Sequence, residues 1–165
     1  DILSHLHLSG RYFMLSCSTI GNFLDSIILH STIAGQIIAT GLRYELPIRG
    51  AINYGVYKLD NNVSVGPAID EVAVEYADWI GAFLTPSAYL QVYDAKIFSP
   101  SLIEYDVPTK TLKIATLSVK WCEFFDRVYG KELFYSSLHN LGPITPDIYS
   151  TIDNTMKFCK KITNY

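Results

Sequence analysis

The sharpest single candidate for chemistry in this chain is an aspartate inside an apolar run. In FLDSIILHS, residues 23–31, the carboxylate of Asp25 is flanked by aromatic and aliphatic side chains. Read as a strand over 22–30, the run puts Phe23, Asp25, Ile27 and Leu29 on one face. An ionised carboxylate in an apolar row is costly unless it is paired, hydrogen-bonded or metal-bound. Two readings stand. Asp25 is a ligand for a hard divalent cation, Mg2+ or Mn2+, which selects carboxylate oxygens; or it lies at the strand's start and caps a hairpin.

A second set lies in LPIRGAINYG, residues 46–55. On an expected strand over 48–57, Arg49 and Asn53 share a face about 13 Å apart. The small Ala51 and Gly55 beside them leave room for an extended ligand. The planar fork of arginine donors suits phosphate, although an ordinary ion pair at a sheet edge would use the same residue. Tyr54 and Tyr57 on that strand offer ring faces to a base. Downstream, Asp70, Glu71 and Glu75 lie on the polar side of an expected helix, and acidic groups in a first helical turn are favoured by its dipole. His5, His7 and His30 make at most a fragmentary zinc set. No H-E-x-x-H, G-x-S-x-G, P-loop or G-x-G-x-x-G pattern occurs.

The elements that must position these groups can be read from periodicity and turn residues. Residues 11–17 and 22–30 read as an antiparallel hairpin around Ser18-Thr19-Ile20-Gly21. Ser31 is placed to cap a helix over 32–44. After the strand at 48–57, Asp60-Asn61-Asn62 marks a turn. Gly66-Pro67 opens a helix over 66–78 with Ile69, Val72, Ala73 and Tyr76 at helical spacing. Residues 79–84 return as a strand, and Thr85-Pro86-Ser87 starts a short helix. Two strands follow at 102–106 and 112–119, then a helix at 131–140. Thr145-Pro146-Asp147 opens a last helix with Ile148, Ile152, Met156 and Cys159 on one face. Alternating strands and helices with hairpins among them give an α+β class with a mixed or mostly antiparallel sheet.

Composition narrows the function classes. Apolar residues make up 49% of the 165 positions and charged residues 18%, which favours one well-buried domain over a disordered chain. The formal net charge of −3 offers no general attraction to nucleic acid. No apolar run reaches the roughly 18 residues of a membrane span. Cys17, Cys122 and Cys159 are odd in number and widely spaced, which reads as unpaired thiols in a cytoplasmic protein. The chain opens on Asp1 rather than Met, so an incomplete N-terminus of a single domain over 1–165 is expected.

Taken in order, FLDSIILHS, LPIRGAINYG and VGPAIDEVAVEYADWIGAFLTPSA resemble divergent bacterial class III nucleotidyl cyclase homology domains. The nearest in kind are the pyrimidine cyclases of Pycsar anti-phage systems. The resemblance runs from about residue 20 to 88, and DIYSTIDNTMKFCKKI resembles the closing helix of such proteins. It implies a ferredoxin-like βαββαβ sheet and a head-to-tail homodimer. It also implies two divalent metals that activate the ribose 3′-hydroxyl and neutralise a triphosphate. Carried over, Asp25 matches the metal aspartate of the β2–β3 hairpin. Asp1, opening Asp1-Ile2-Leu3, matches the start of the other metal-bearing motif, with Ser4 in place of its glycine. Asp70 and Val74 stand where cyclases carry Asn and Arg, so either Arg49 or a group from the partner protomer would meet the phosphate charge, or the domain does not cyclise. Asn53 and Tyr54 would line the nucleotide. The expected function is metal-dependent conversion of an NTP, UTP or CTP, to a 3′,5′-cyclic nucleotide and pyrophosphate. The alternative is a degenerate cyclase-like module that binds nucleotide or dimerises without turnover.

Overall fold

The structure is a computed structural model that describes residues 5–9, 12–16, 23–60, 63–74, 77–96, 99–109 and 111–163. The apolar run that holds Asp25 is helical, a correction to the extended reading. One helix of 21 residues, α1, spans Phe23–Arg43. It buries Ile27, Ser31, Ile38, Ala39 and Leu42 along one stripe. A short apolar run carries strand and helix patterns alike, and only continuation of the stripe past Ser31 separates them. Ser31 is therefore a buried mid-helix residue rather than a cap. Asp25 is exposed in the first turn, where the helix dipole favours a carboxylate without a metal or a hairpin. At the other end, the Leu46 amide donates to the Gly41 carbonyl at 2.9 Å. A Cβ at position 41 would lie 2.9 Å from the Leu46 carbonyl oxygen, so this turn requires glycine.

The chain then builds a parallel pair. Strand β3 is numbered in chain order after an antiparallel pair of strands, β1 (His5–Ser9) and β2 (Tyr12–Ser16). It spans Arg49–Ile52 and lies beside β6 (Gly81–Leu84), with Arg49 opposite Gly81 and Ile52 opposite Leu84. Their crossover holds a short hairpin, β4 (Lys58–Asp60) and β5 (Val63–Val65), and helix α2 (Pro67–Val74). The expected strand over 48–57 stops at Ile52 because the Asn53 side-chain oxygen accepts from the Tyr54 amide at 2.7 Å and turns the chain. Thr85 caps helix α3 (Pro86–Asp94), with proline in the first turn as the sequence indicates. Strands β7 (Leu102–Pro108) and β8 (Lys113–Val119) form the expected hairpin. The four-stranded sheet runs β3-β6-β8-β7, with one parallel and two antiparallel pairs. The α+β class is as expected. These four strands trace a βαβ unit followed by α3 and a hairpin. Strand β2 covers most of the expected strand over 11–17, but its partner is β1 rather than 22–30.

Three helices complete the structure: α4 (Trp121–Tyr129), α5 (Lys131–His139) and α6 (Pro146–Ile162). Sequence periodicity located the last two and missed α4. One aromatic cluster joins Trp121, Phe125 and Phe134, with Trp121 and Phe134 centroids 6.1 Å apart. A second joins Trp79, Tyr105 and Phe158, with Phe158 edge-on to Trp79 at 4.2 Å. Cys122 and Cys159 form a disulfide, both fully buried and with Cα atoms 5.8 Å apart. The reading of unpaired thiols is thus corrected. These cysteines are brought together by the packing of α4 on α6, which no local spacing announces. Among the described residues, no helix is long and apolar enough to cross a membrane.

Candidate ligand-binding groove

The residues proposed from the sequence separate into two ends of the parallel pair. Beyond the C-terminal end of β3, Asn53 is committed to the fold. Its amide nitrogen donates to the Ala68 carbonyl at 2.7 Å, and its oxygen accepts from Thr85 Oγ1 at 2.5 Å as well as from Tyr54 N. Tyr54 packs edge-on against Phe23 at 5.0 Å, which brings the start of α1, and Asp25 with it, to this same end. Asp70 is exposed in the first turn of α2, two residues after Ala68, whose carbonyl Asn53 holds. Glu71 Oε1 accepts from the Ser87 amide at 3.0 Å, at the N-terminus of α3. Burial pushes the Glu71 carboxyl up. Hydrogen bonds from the Ser87 backbone and side chain, and from Asn53 and Thr85, outweigh that effect and hold it below its ordinary value. This cluster ties α2, β3 and α3 together. No group of three or more His, Cys, Asp or Glu side chains arranged to hold a metal ion occurs among the described residues. Asp1 lies outside them, as do Glu75, Tyr76 and the side chain of Val74. His30 Nδ1 is engaged with the Ser26 carbonyl at 2.7 Å within α1.

Arg49 stands at the opposite, N-terminal end of β3. Its guanidinium donates from Nη1 to the Ala77 carbonyl at 3.2 Å and from Nη2 to Thr151 Oγ1 at 3.0 Å. Both acceptors are neutral, and no carboxylate comes within ion-pair distance of it among the described residues. Two of its five N–H donors are thereby fixed, leaving the rest to a ligand.

What fixes Arg49 is a clasp that the sequence reading missed. Asp78 follows the isolated bridge between Ala77 and Thr109, and its amide donates to the Pro108 carbonyl at 2.8 Å. Its carboxylate meets the second and third turns of α6. Thr151 Oγ1 donates to Oδ1 at 2.9 Å, Ser150 Oγ to Oδ2 at 2.6 Å and Asn154 Nδ2 to Oδ2 at 3.4 Å. One turn on, Thr155 Oγ1 accepts from the Ile80 amide at 2.9 Å. The Thr151 hydroxyl therefore sits between Arg49 and Asp78, accepting from one and donating to the other. The expected inward face of α6 (Ile148, Ile152, Met156, Cys159) is rotated: Thr151, Thr155, Phe158 and Cys159 are buried, and the first three of the expected set only partly so. Asp78, in Ala77-Asp78-Trp79-Ile80, is the carboxylate in an apolar setting that requires donors, and it finds them on α6.

Between this clasp and the start of α6 lies a groove of about 710 Å³. Arg49, Asp78, Asp147, Thr109 and Asn154 line it, with Pro47, Leu141, Ile148 and Ile152 as apolar walls. Its volume falls within the range of small-molecule sites, while it is open to solvent and lined almost as much by polar as by apolar surface. Of the residues proposed from the sequence, Arg49 alone lies in it. No family model, curated protein or solved structure matches the chain.

Proposed function

We propose that this domain is a cyclase-like nucleotide-binding module whose phosphate site is the Arg49 groove, and that it binds without turnover. The observation that carries the reading is Arg49 itself: a guanidinium preoriented by two neutral acceptors, with donors to spare, at the mouth of a groove of ligand size. The resemblance to class III cyclase homology domains supplies the nucleotide as ligand class. Cyclisation of UTP or CTP would require metal at Asp25 beside the phosphates. Phe23, two residues before Asp25, packs on Tyr54 beyond one end of β3 and Arg49 stands at the other, which favours binding over chemistry.

The test is a calorimetric titration of the full chain with nucleotides, run beside a pyrophosphate-release assay with Mn2+ and each of the four NTPs. Binding that Arg49→Ala removes, without pyrophosphate, supports the module. Pyrophosphate release abolished by Asp25→Ala would establish the metal-dependent cyclase in its place. No binding to any nucleotide refutes both.

A further inference from the structure

The groove's own charges say which nucleotides it can hold. Its described lining carries one guanidinium, Arg49, and two carboxylates, Asp78 and Asp147, a formal charge of −1. The two carboxylates differ in role. Asp78 is saturated by donors from Ser150, Thr151 and Asn154. Asp147 is exposed in the first turn of α6 and faces the groove with its acceptors available. A polyanion placed on Arg49 would bring its further charges toward both carboxylates lining the groove.

We infer that the groove selects a nucleotide with a single negative charge, a 3′,5′-cyclic phosphodiester, over a nucleoside triphosphate; this rests on the nucleotide-binding reading above. One guanidinium fork is matched to the two free oxygens of one phosphodiester. The apolar walls at Pro47, Ile148 and Ile152 offer contact to a base, and Asp147 offers acceptors to an amino group or the ribose 2′-hydroxyl. Selectivity of this kind comes from an unfavourable element set against the competitor as much as from contacts with the ligand. Asp147 is that element.

The experiment is calorimetry of the full chain with cyclic CMP and cyclic UMP against CTP and UTP, all in EDTA. The cyclic nucleotides are expected to bind roughly tenfold or more tightly than the triphosphates. Asp147→Asn, an exposed surface change, should raise triphosphate affinity and narrow the gap, while Arg49→Gln should weaken every nucleotide. Triphosphates binding as tightly as cyclic nucleotides in EDTA, or Asp147→Asn leaving the gap unchanged, would overturn the selectivity and leave the nucleotide reading standing. Absence of binding to any nucleotide by protein with an unaltered thermal transition would overturn both.

Discussion

Thr151 is the residue on which the groove turns. Its hydroxyl accepts from Arg49 and donates to Asp78, and its carbonyl accepts from Thr155 Oγ1 at 2.7 Å. Thr151→Val keeps the shape and removes the hydroxyl. It leaves Asp78 one donor short and Arg49 one acceptor short, a cost of about 1–3 kcal/mol. Urea denaturation should show that loss, Thr151→Ser should recover most of it, and an unchanged midpoint in the valine variant would refute the clasp. Glu71 makes a second, pH-dependent prediction. Its carboxyl is held below its ordinary value, 4.5, in the folded chain. The stability this contributes is present above that value and is lost as pH falls through the lowered one. Glu71→Gln should therefore be less stable than the parent at neutral pH, with the difference in thermal midpoint closing in acid; a difference that persists or grows there would refute the assignment. At this scale the sequence was half legible. Arg49 could be singled out because its type and its small neighbours are visible locally, and it does line the groove. Asp78 could not, because its partners lie more than 70 positions away and nothing local reports them.

At the scale of elements, the readings that succeeded rest on local chemistry. Proline after a capping threonine fixed the starts of α3 and α6, and the β7–β8 hairpin followed from its apolar strands. The readings that failed needed tertiary context. The stretch 23–30 is rich in isoleucine and leucine and alternates well enough for a strand, yet continues as α1, whose buried stripe runs on through Ser31, Ile38 and Leu42. Gly66 is the sharpest test of an element boundary. It begins α2 at φ 136°, and a Cβ would lie 2.9 Å from the Val56 carbonyl oxygen. Gly66→Ala combines backbone strain with a clash against backbone, and should cost about 1–3 kcal/mol. Thermal unfolding measures it. A neutral result would mean that the crossover from β3 to α2 does not need this conformation.

For the whole molecule, the disulfide has a role that neither cysteine reveals alone. Cys122 follows Trp121 and Cys159 follows Phe158, so the bond links the aromatic cluster of α4 and α5 to the cluster of Trp79, Tyr105 and Phe158. It closes a loop across a sequence separation of 37, worth up to about 4 kcal/mol by chain entropy. Each cluster holds one of the two tryptophans, both fully buried. Single-tryptophan variants, Trp79→Phe and Trp121→Phe, therefore report on one cluster each. In the oxidised chain the two fluorescence transitions in urea should coincide, because the bond couples the clusters into one cooperative unit. With a dithiol reductant, or in Cys122→Ser/Cys159→Ser, overall stability should fall by up to about 4 kcal/mol. The Trp79 transition should then move to lower urea than that of Trp121. Trp79 packs between Tyr105 of β7 and Phe158 of α6, and α6 is attached through the Asp78 clasp, the Thr155 bond to Ile80 and the Lys161 bond to the Glu104 carbonyl, whereas Trp121 packs on Phe125 within α4 and on Phe134 of α5. Transitions that stay coincident after reduction would show that packing alone couples the clusters. Loosening of α6 would also carry Thr151 away from Arg49, so the reduced chain should lose ligand affinity before it loses its Trp121 signal.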